Sequence, residues 1–345
     1  MAYTTIDDPT LYFDTTLWST QDTSIDTLNF QPDWVWLKSR SNADTHVAFD
    51  SVRGANKRLS PSETSAESTT SNELTAFNSD GFTLGTGDNV NRSGHTMVAW
   101  SWKAGGSASS NSNGSITSSV SANTTAGFSI VSYTGTGSNA TVGHGLGSVP
   151  KWMIHKDRDN SSYQWGVYHH TLGNQKNLNL NSTVAANNDS GGVYYNSTTP
   201  TSSVYSLGTN IGYNKSSDTY ISYIFSEVKG YSKFGSYKGN GSSTDGPFVY
   251  TGFRPAWIII KETDGNDTWV MYDNKRLGYN TANHTIEADS NGAEGTATDR
   301  FNILSNGFKI TFNWTPINTS GQTYMFAAFA ESPFVNSNGV PTNAR

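Results

Sequence analysis

The chain has 345 residues, a formal charge of -6, 14% charged residues and no cysteine. Disulfides, thiol redox chemistry and thiolate zinc sites are therefore excluded, and without a Lys/Arg run there is no electrostatic footprint for nucleic acid. No apolar stretch approaches the roughly 20 residues of a membrane helix, whereas aromatics at 12%, regularly spaced, can fill cores and argue against disorder.

Residues 1–8 carry neither a basic region nor an apolar stretch, so no secretion signal is read there. The Asn-x-Ser/Thr triplets at Asn123, Asn139, Asn181, Asn196 and Asn266 then read as by-products of a Ser/Thr/Asn-rich composition rather than as glycan acceptors. After an early strand around Leu17 comes Trp34-Val35-Trp36-Leu37, apolar on both faces, as in a strand buried between two layers. Pro32 suits the start of such a strand, where no ladder donor is needed, and Lys38 reads as a rim residue with its ammonium in water. A polar tip at residues 41–44 leads to a strand at Val47-Ala48-Phe49. Residues 62–77, polar and Ser/Thr-rich, read as a short helix, and Phe82-Thr83-Leu84 as the next strand. Residues 107–126, introduced by the run GGSASSNSNG at 105–114, read as a flexible linker.

Beyond the linker the series returns. Residues 128–133 alternate with period two and stop at a Thr-Gly turn. Strands follow around Trp152, at Trp165–Tyr168 and at Tyr205–Leu207. A third series has strands around Trp257, at Trp269–Tyr272 and at Phe308–Ile310. Two devices mark every copy. One is Pro-x-Trp, three residues, then Lys: Pro32, Trp34 and Lys38; Pro150, Trp152 and Lys156; Pro255, Trp257 and Lys261. The other is an Asn with Thr five residues on: Asn91 and Thr96, Asn214 and Thr219, Asn318 and Thr323. The chain therefore reads as all-β, three tandem concanavalin- or jelly-roll-like β-sandwich repeats: 1–106, then the linker 107–126, then 127–231 and 232–345. Apolar residues at the second join (Val228, Tyr231, Phe234, Tyr237) predict that repeats two and three pack rigidly while repeat one hinges.

Glycoside hydrolysis needs two carboxylates held across a cleft. The candidates are Asp157 with Asp159, Asp264 with Asp267, and the aligned Asp50 and Asp273. The aligned pair is interrupted by His169 in repeat two, which favours a structural strand-end role, and the tip aspartates read as turn residues. His155, His169 and His170 invite a metal reading, but successive strand residues face opposite ways, so His169 and His170 are not expected to share an ion. Asp264, Asn266 and Asp267 are closely spaced oxygen ligands of the kind calcium prefers; a solvated turn is the simpler reading, and no metal or cofactor is expected. The glycine-rich run at residues 143–147 lacks the following Lys-Ser/Thr and leads into a strand, so it reads as a turn. Trp34, Trp152 and Trp257 read as core rather than as sugar platforms.

The phrases AGFSIVSYTGTGSNATVGHGLG (126–147), YSKFGSYKGNGS (231–242), GPFVYTGFRP (246–255), MAYTTID (1–7) and FQPDWVWLK (30–38) resemble repeat-containing virion appendage proteins, tail fibre-like, of marine tailed phages. The resemblance covers nearly the whole chain; repeat one departs most, since its early strand lacks the Tyr-Thr-Gly-x-Gly turn. It implies a lectin-like sandwich with no catalytic or ligand residues to carry over. The expected function is a non-enzymatic virion structural protein contacting the host surface, made in the host cytoplasm. Alternatives are a capsid decoration or head fibre protein, a polysaccharide depolymerase and a free carbohydrate-binding module. Expected partners are other virion proteins and a host surface glycan, with neither nucleic acid nor membrane insertion. Open sheet edges with little charge, together with flat aromatic faces, further predict a homo-oligomer, a trimer by analogy with phage fibres.

Overall fold

A computed structural model describes the chain except residues 1–2, 20, 22, 277–279, 281–283, 297–299 and 343–345. The fold is all-β, and four strands recur in each unit. In unit one they are β1 (Phe13–Trp18), β2 (Trp34–Ser39), β3 (Val47–Asp50) and β4 (Met97–Trp102). Unit two has β5 (Phe128–Thr134), β6 (Pro150–Asp157), β7 (Gly166–His169) and β8 (Thr219–Ser226). Unit three has β9 (Ser232–Lys238), β10 (Phe253–Glu262), β11 (Val270–Asp273) and β12 (Thr323–Pro333). Each set forms an antiparallel inner sheet in which the last strand sits between the first two: β1-β4-β2-β3, β5-β8-β6-β7 and β9-β12-β10-β11.

Over each inner sheet lies a smaller outer one. Unit one uses Ser24–Ile25, Gly81–Leu84 and Leu74–Asn78; unit two Ala140–Gly143 and Val204–Leu207; unit three Phe248–Tyr250, Gly307–Ile310 and Phe301–Leu304. Each unit is thus a β-sandwich, and strand alternation decides what each face buries. Along β2, Val35 and Leu37 join Phe49, Phe82 and Leu84 inside unit one. Trp34 and Trp36 face the other way, into a core common to all three units.

That common core explains why the Pro-x-Trp strands are apolar on both faces. Trp34, Trp102, Phe128, Trp152, Phe225, Trp257 and Phe329 meet in it, with ring centroids 5.0 Å apart for Trp152–Phe225, 5.5 Å for Trp102–Trp257 and 6.2 Å for Trp34–Phe225. Such pairs are worth about 0.5–1.5 kcal/mol each beyond area burial. The inner-sheet aromatic faces, part of the case for a homo-oligomer, are covered by the chain's own three units.

Equivalent bonds close the units into a ring. Trp165 Nε1 donates to Ser60 O at 2.9 Å and Trp269 Nε1 to Asn179 O at 2.9 Å. At the matching position of unit one, His46 Nδ1 accepts from Trp36 Nε1, so Nε2 carries the proton and donates to Glu287 O at 3.1 Å. Backbone bonds repeat the cycle, with Glu67 N donating to Arg158 O, Ala186 N to Thr263 O, and Glu294 N to Arg40 O. Unit two therefore leans on one, three on two, and one on three.

Two expectations fail here. Residues 62–77 hold no helix; they contain the short strands Ser68–Thr69 and Leu74–Asn78. Leu74 is buried in unit one's own core and Phe77 pairs with Phe82, so tertiary pairing overrides local propensity. Nor is 107–126 a loose linker. Ser109–Asn111 and Ser118–Asn123 extend unit two's sheet beyond β5, with Ile116 and Val120 buried. Gly105 approaches this hairpin so closely that a Cβ there would lie 2.5 Å from Ala122 O. The hinge expected for unit one has no loose segment to act through.

Candidate functional site

Pro150 and Pro255 lie where the pairing of β6 with β8 and of β10 with β12 shifts register, so the prolines sit at bulges, where a missing N–H costs nothing. Pro32 lies two residues before the first residue of β2. The three lysines are not rim residues: Lys38, Lys156 and Lys261 are fully buried. Lys38 Nζ donates to Ser39 O (2.6 Å) and Asn42 O (3.0 Å). Lys156 Nζ has Asp157 O, Thr64 O, Tyr163 O and Asn160 O at 2.8–3.3 Å. Lys261 Nζ reaches Glu262 O (2.7 Å), Thr183 O (3.1 Å) and Gly265 O (3.5 Å). Each ammonium organises the hairpin tip that follows it, and two of them bind a carbonyl of the preceding unit. Burial lowers all three pKa values to about 8.

The Asn…Thr device has a similar purpose. Asn91, Asn214 and Asn318 end the one-turn helices α1 (Asp88–Asn91), α2 (Ile211–Asn214) and α3 (Thr315–Asn318). Their buried amides bond loop carbonyls: Asn91 to Gly85 O, Asn214 to Ser138 O and Gly208 O, Asn318 to Ser242 O and Phe312 O. Thr219 and Thr323 start the last strand, Thr96 immediately precedes it, and all three are clamped by the hairpin tips. Thr219 N donates to Asp159 Oδ2 at 2.5 Å, Thr323 N to Asp264 Oδ2 at 2.9 Å, and Thr96 N to Ser41 Oγ at 3.1 Å.

The candidate carboxylates are consumed the same way. Asp157 Oδ1 accepts from Asp159 N and Asn160 N within its own turn. Asp50 pairs with Arg53 Nε (2.5 Å) and accepts from Tyr223 OH (2.7 Å) of unit two. Asp273 pairs with Arg276 Nε (2.6 Å) and accepts from Trp100 Nε1 (3.0 Å) of unit one. His169, at the equivalent position, lies 3.2 Å from Phe326 O of unit three. All three thus tie to a neighbouring unit, the aspartates by accepting from a side-chain donor and His169 through a main-chain carbonyl. The calcium candidates diverge: Asp264 clamps Thr323, Asn266 Oδ1 accepts from Ala185 N, and Asp267 faces Glu262. Burial and then Asp267 raise Glu262 to about 7. Among the described residues no group of three or more metal-ligating side chains forms.

The histidines carry one correction. His170 lies past the end of β7, where strand alternation no longer applies, and its ring sits 5.2 Å from that of His169. Both bond unit three carbonyls, His170 to Phe234 O at 2.9 Å. His155 faces unit two's interior, 2.7 Å from Ser222 Oγ, and burial lowers it to about 3. His144 bonds Leu146 N and Thr201 O, fixing the glycine-rich turn.

Sequence reading passed over one exposed feature. Phe248 and Tyr250 project outward from unit three's outer sheet, 47% and 53% exposed. Beside Tyr250 is a groove of about 470 Å3 lined by Tyr3, Glu227, Lys229, Lys233, Tyr250 and Gly252, among others. The N-terminal arm, the join between units two and three, and the outer sheet all contribute to it. Tyr3 OH donates to Gly252 O at 2.8 Å and lies 3.1 Å from Tyr250 OH. Lys229 Nζ stands 4.5 Å from the centre of the Tyr3 ring, and Lys233 pairs with Glu227 at 2.9 Å. The phrase GPFVYTGFRP contains the signal, as two aromatics two apart on a strand of a polar outer sheet.

No helix among the described residues is long and apolar enough to cross a membrane. No curated protein and no solved structure matches the chain. One family model, described as a domain of unknown function (DUF7483), matches residues 8–333, a span that takes in all three units. The chain therefore belongs to the DUF7483 family.

Proposed function

We propose that this chain is a non-enzymatic structural protein of a phage virion, a tail fibre-like component that contacts the host surface. The observation that carries the reading is the closure of three sandwiches around one aromatic core, stapled by buried side-chain-to-carbonyl bonds. A particle component must keep its shape outside the cell, and this chain has no disulfide to help it. The repeated ionisable groups hold that ring together, leaving polar loops and the unit three aromatics for recognition. The resemblance of the repeat phrases to marine phage appendages supplies the biological setting. Self-association, with three copies as the first guess, belongs to the same proposal. Its contacts would use strand edges and loops, since the aromatic faces of the inner sheets are already covered. Mass spectrometry of gradient-purified particles tests the reading: the chain is expected in multiple copies per particle. Its restriction to the lysate would overturn the proposal, and reconstruction density on the head would replace the tail assignment with the head fibre.

A further inference from the structure

We infer that the groove between Tyr3, Tyr250 and Lys229 is a binding site for an acidic saccharide, one hexuronate ring seated on Tyr250 with its carboxylate on Lys229. The inference rests on the appendage reading only for where such a sugar would be met.

The three units supply their own control. Residue correspondence on the outer sheets is fixed by register: Val249 pairs with Phe308, Val142 with Tyr205, and Ile25 with Phe82. The inward residue is apolar each time. Its two flanking residues are Thr141 and Gly143 in unit two, where Asn111 covers Gly143, and the exposed Ser24 and Asp26 in unit one, but the exposed Phe248 and Tyr250 in unit three. Two copies of the fold do without outward aromatics, so the fold does not require them. Exposed aromatic surface beside a groove is a recognition feature, not a packing one.

The groove's chemistry narrows the ligand. Tyr3 OH has one proton, and Gly252 O accepts it; the 3.1 Å bond between the two tyrosines is therefore donated by Tyr250. Tyr250 is thereby fixed in orientation and keeps acceptor capacity at its oxygen for a ligand hydroxyl. The Lys233–Glu227 pair offers a second donor and acceptor side by side. Lys229 is exposed, and among the described residues no carboxylate pairs with it. The groove thus presents a flat aromatic face, hydroxyl-matching groups and one net positive charge. A pyranose carries an apolar face and hydroxyls, and a hexuronate adds the single negative charge. A neutral hexose leaves Lys229 unused, and a short acidic peptide leaves the ring face unused. At about 470 Å3 the groove falls within the range of small-ligand sites.

The test titrates the full chain with trigalacturonate, a neutral galactose trisaccharide and a triglutamate peptide, using calorimetry at low salt. Saturable trigalacturonate binding is expected, weakened about tenfold by Tyr250→Ala and about fivefold by Lys229→Gln, with salt weakening it further. Both side chains are exposed, and unchanged circular dichroism would confirm folded variants. No saturable binding, equal binding of the peptide or of the neutral sugar, or binding unmoved by both variants would overturn the inference. Particles that contain the chain while the purified chain binds no hexuronate would sink this inference and leave the virion reading standing.

Discussion

Replacing Lys156 with Met keeps most of the aliphatic stem but removes an ammonium held among four carbonyls at 2.8–3.3 Å. An ammonium has three protons, so up to three charge-assisted bonds are lost, each worth about 1.5–3 kcal/mol. Against this, Met avoids desolvating a buried cation, which costs several kcal/mol. The carbonyls of Asn160 and Tyr163 lie near a hairpin tip, where water can replace the lost donor. The net loss is expected to be about 2–4 kcal/mol. Lys38 supplies an internal comparison, because among the described residues its carbonyl partners are Ser39 O and Asn42 O, both in its own hairpin. Lys38→Met should therefore cost less, about 1–2 kcal/mol. Urea unfolding at pH 7, followed by tryptophan fluorescence and far-ultraviolet circular dichroism, measures both. A neutral or stabilising Lys156→Met, or a larger loss for Lys38→Met, would refute the view that these lysines act as carbonyl staples.

Trp165→Phe deletes the indole bonds to Ser60 O and Glu63 O across the boundary between units one and two, and should cost about 2 kcal/mol in the same assay. A loss below about 0.5 kcal/mol would show that the cross-unit bond contributes little. Stability should rise as pH goes from about 8 toward 10. Burial lowers Lys38, Lys156 and Lys261 to about 8, so over that window the unfolded chain binds more protons than the folded one. Above pH 10 the trend should reverse, since burial raises tyrosines such as Tyr133, Tyr205 and Tyr223 and the unfolded chain then loses protons first. A flat or falling curve from pH 8 to 10 would count against the lysine assignment. Limited proteolysis should spare residues 107–126, because that stretch is sheet rather than tether; first cleavage inside it would restore the hinge.

Local patterns carried the strands well. The alternation of residues 128–133 and the doubly apolar Trp257–Ile260 run place β5 and β10 without tertiary knowledge. The repeats, too, are visible in Pro-x-Trp and Asn…Thr. What stayed hidden depends on partners far along the chain. His46 meets Glu287 and Tyr223 meets Asp50, 241 and 173 residues away, and nothing local encodes such contacts. Lys156 looked like a snorkelling rim residue because its partners are backbone carbonyls, which leave no mark in a sequence. Residues 107–126 looked like a tether because Ser and Asn suit flexible chain, yet β5 offers an open edge and Val120 an anchor, and pairing outweighs composition. The outward aromatics Phe248 and Tyr250 were legible as residues, but only the sheet register shows that units one and two lack them.

A single core shared by three units implies a single cooperative transition, and hydrogen exchange along a denaturant series reads this most directly. Amides of β2, β6 and β10, one strand from each unit, should be protected by the same opening free energy and lose protection together. Earlier opening of β2, with β6 and β10 still protected, would make unit one an independent bead and contradict the closed ring.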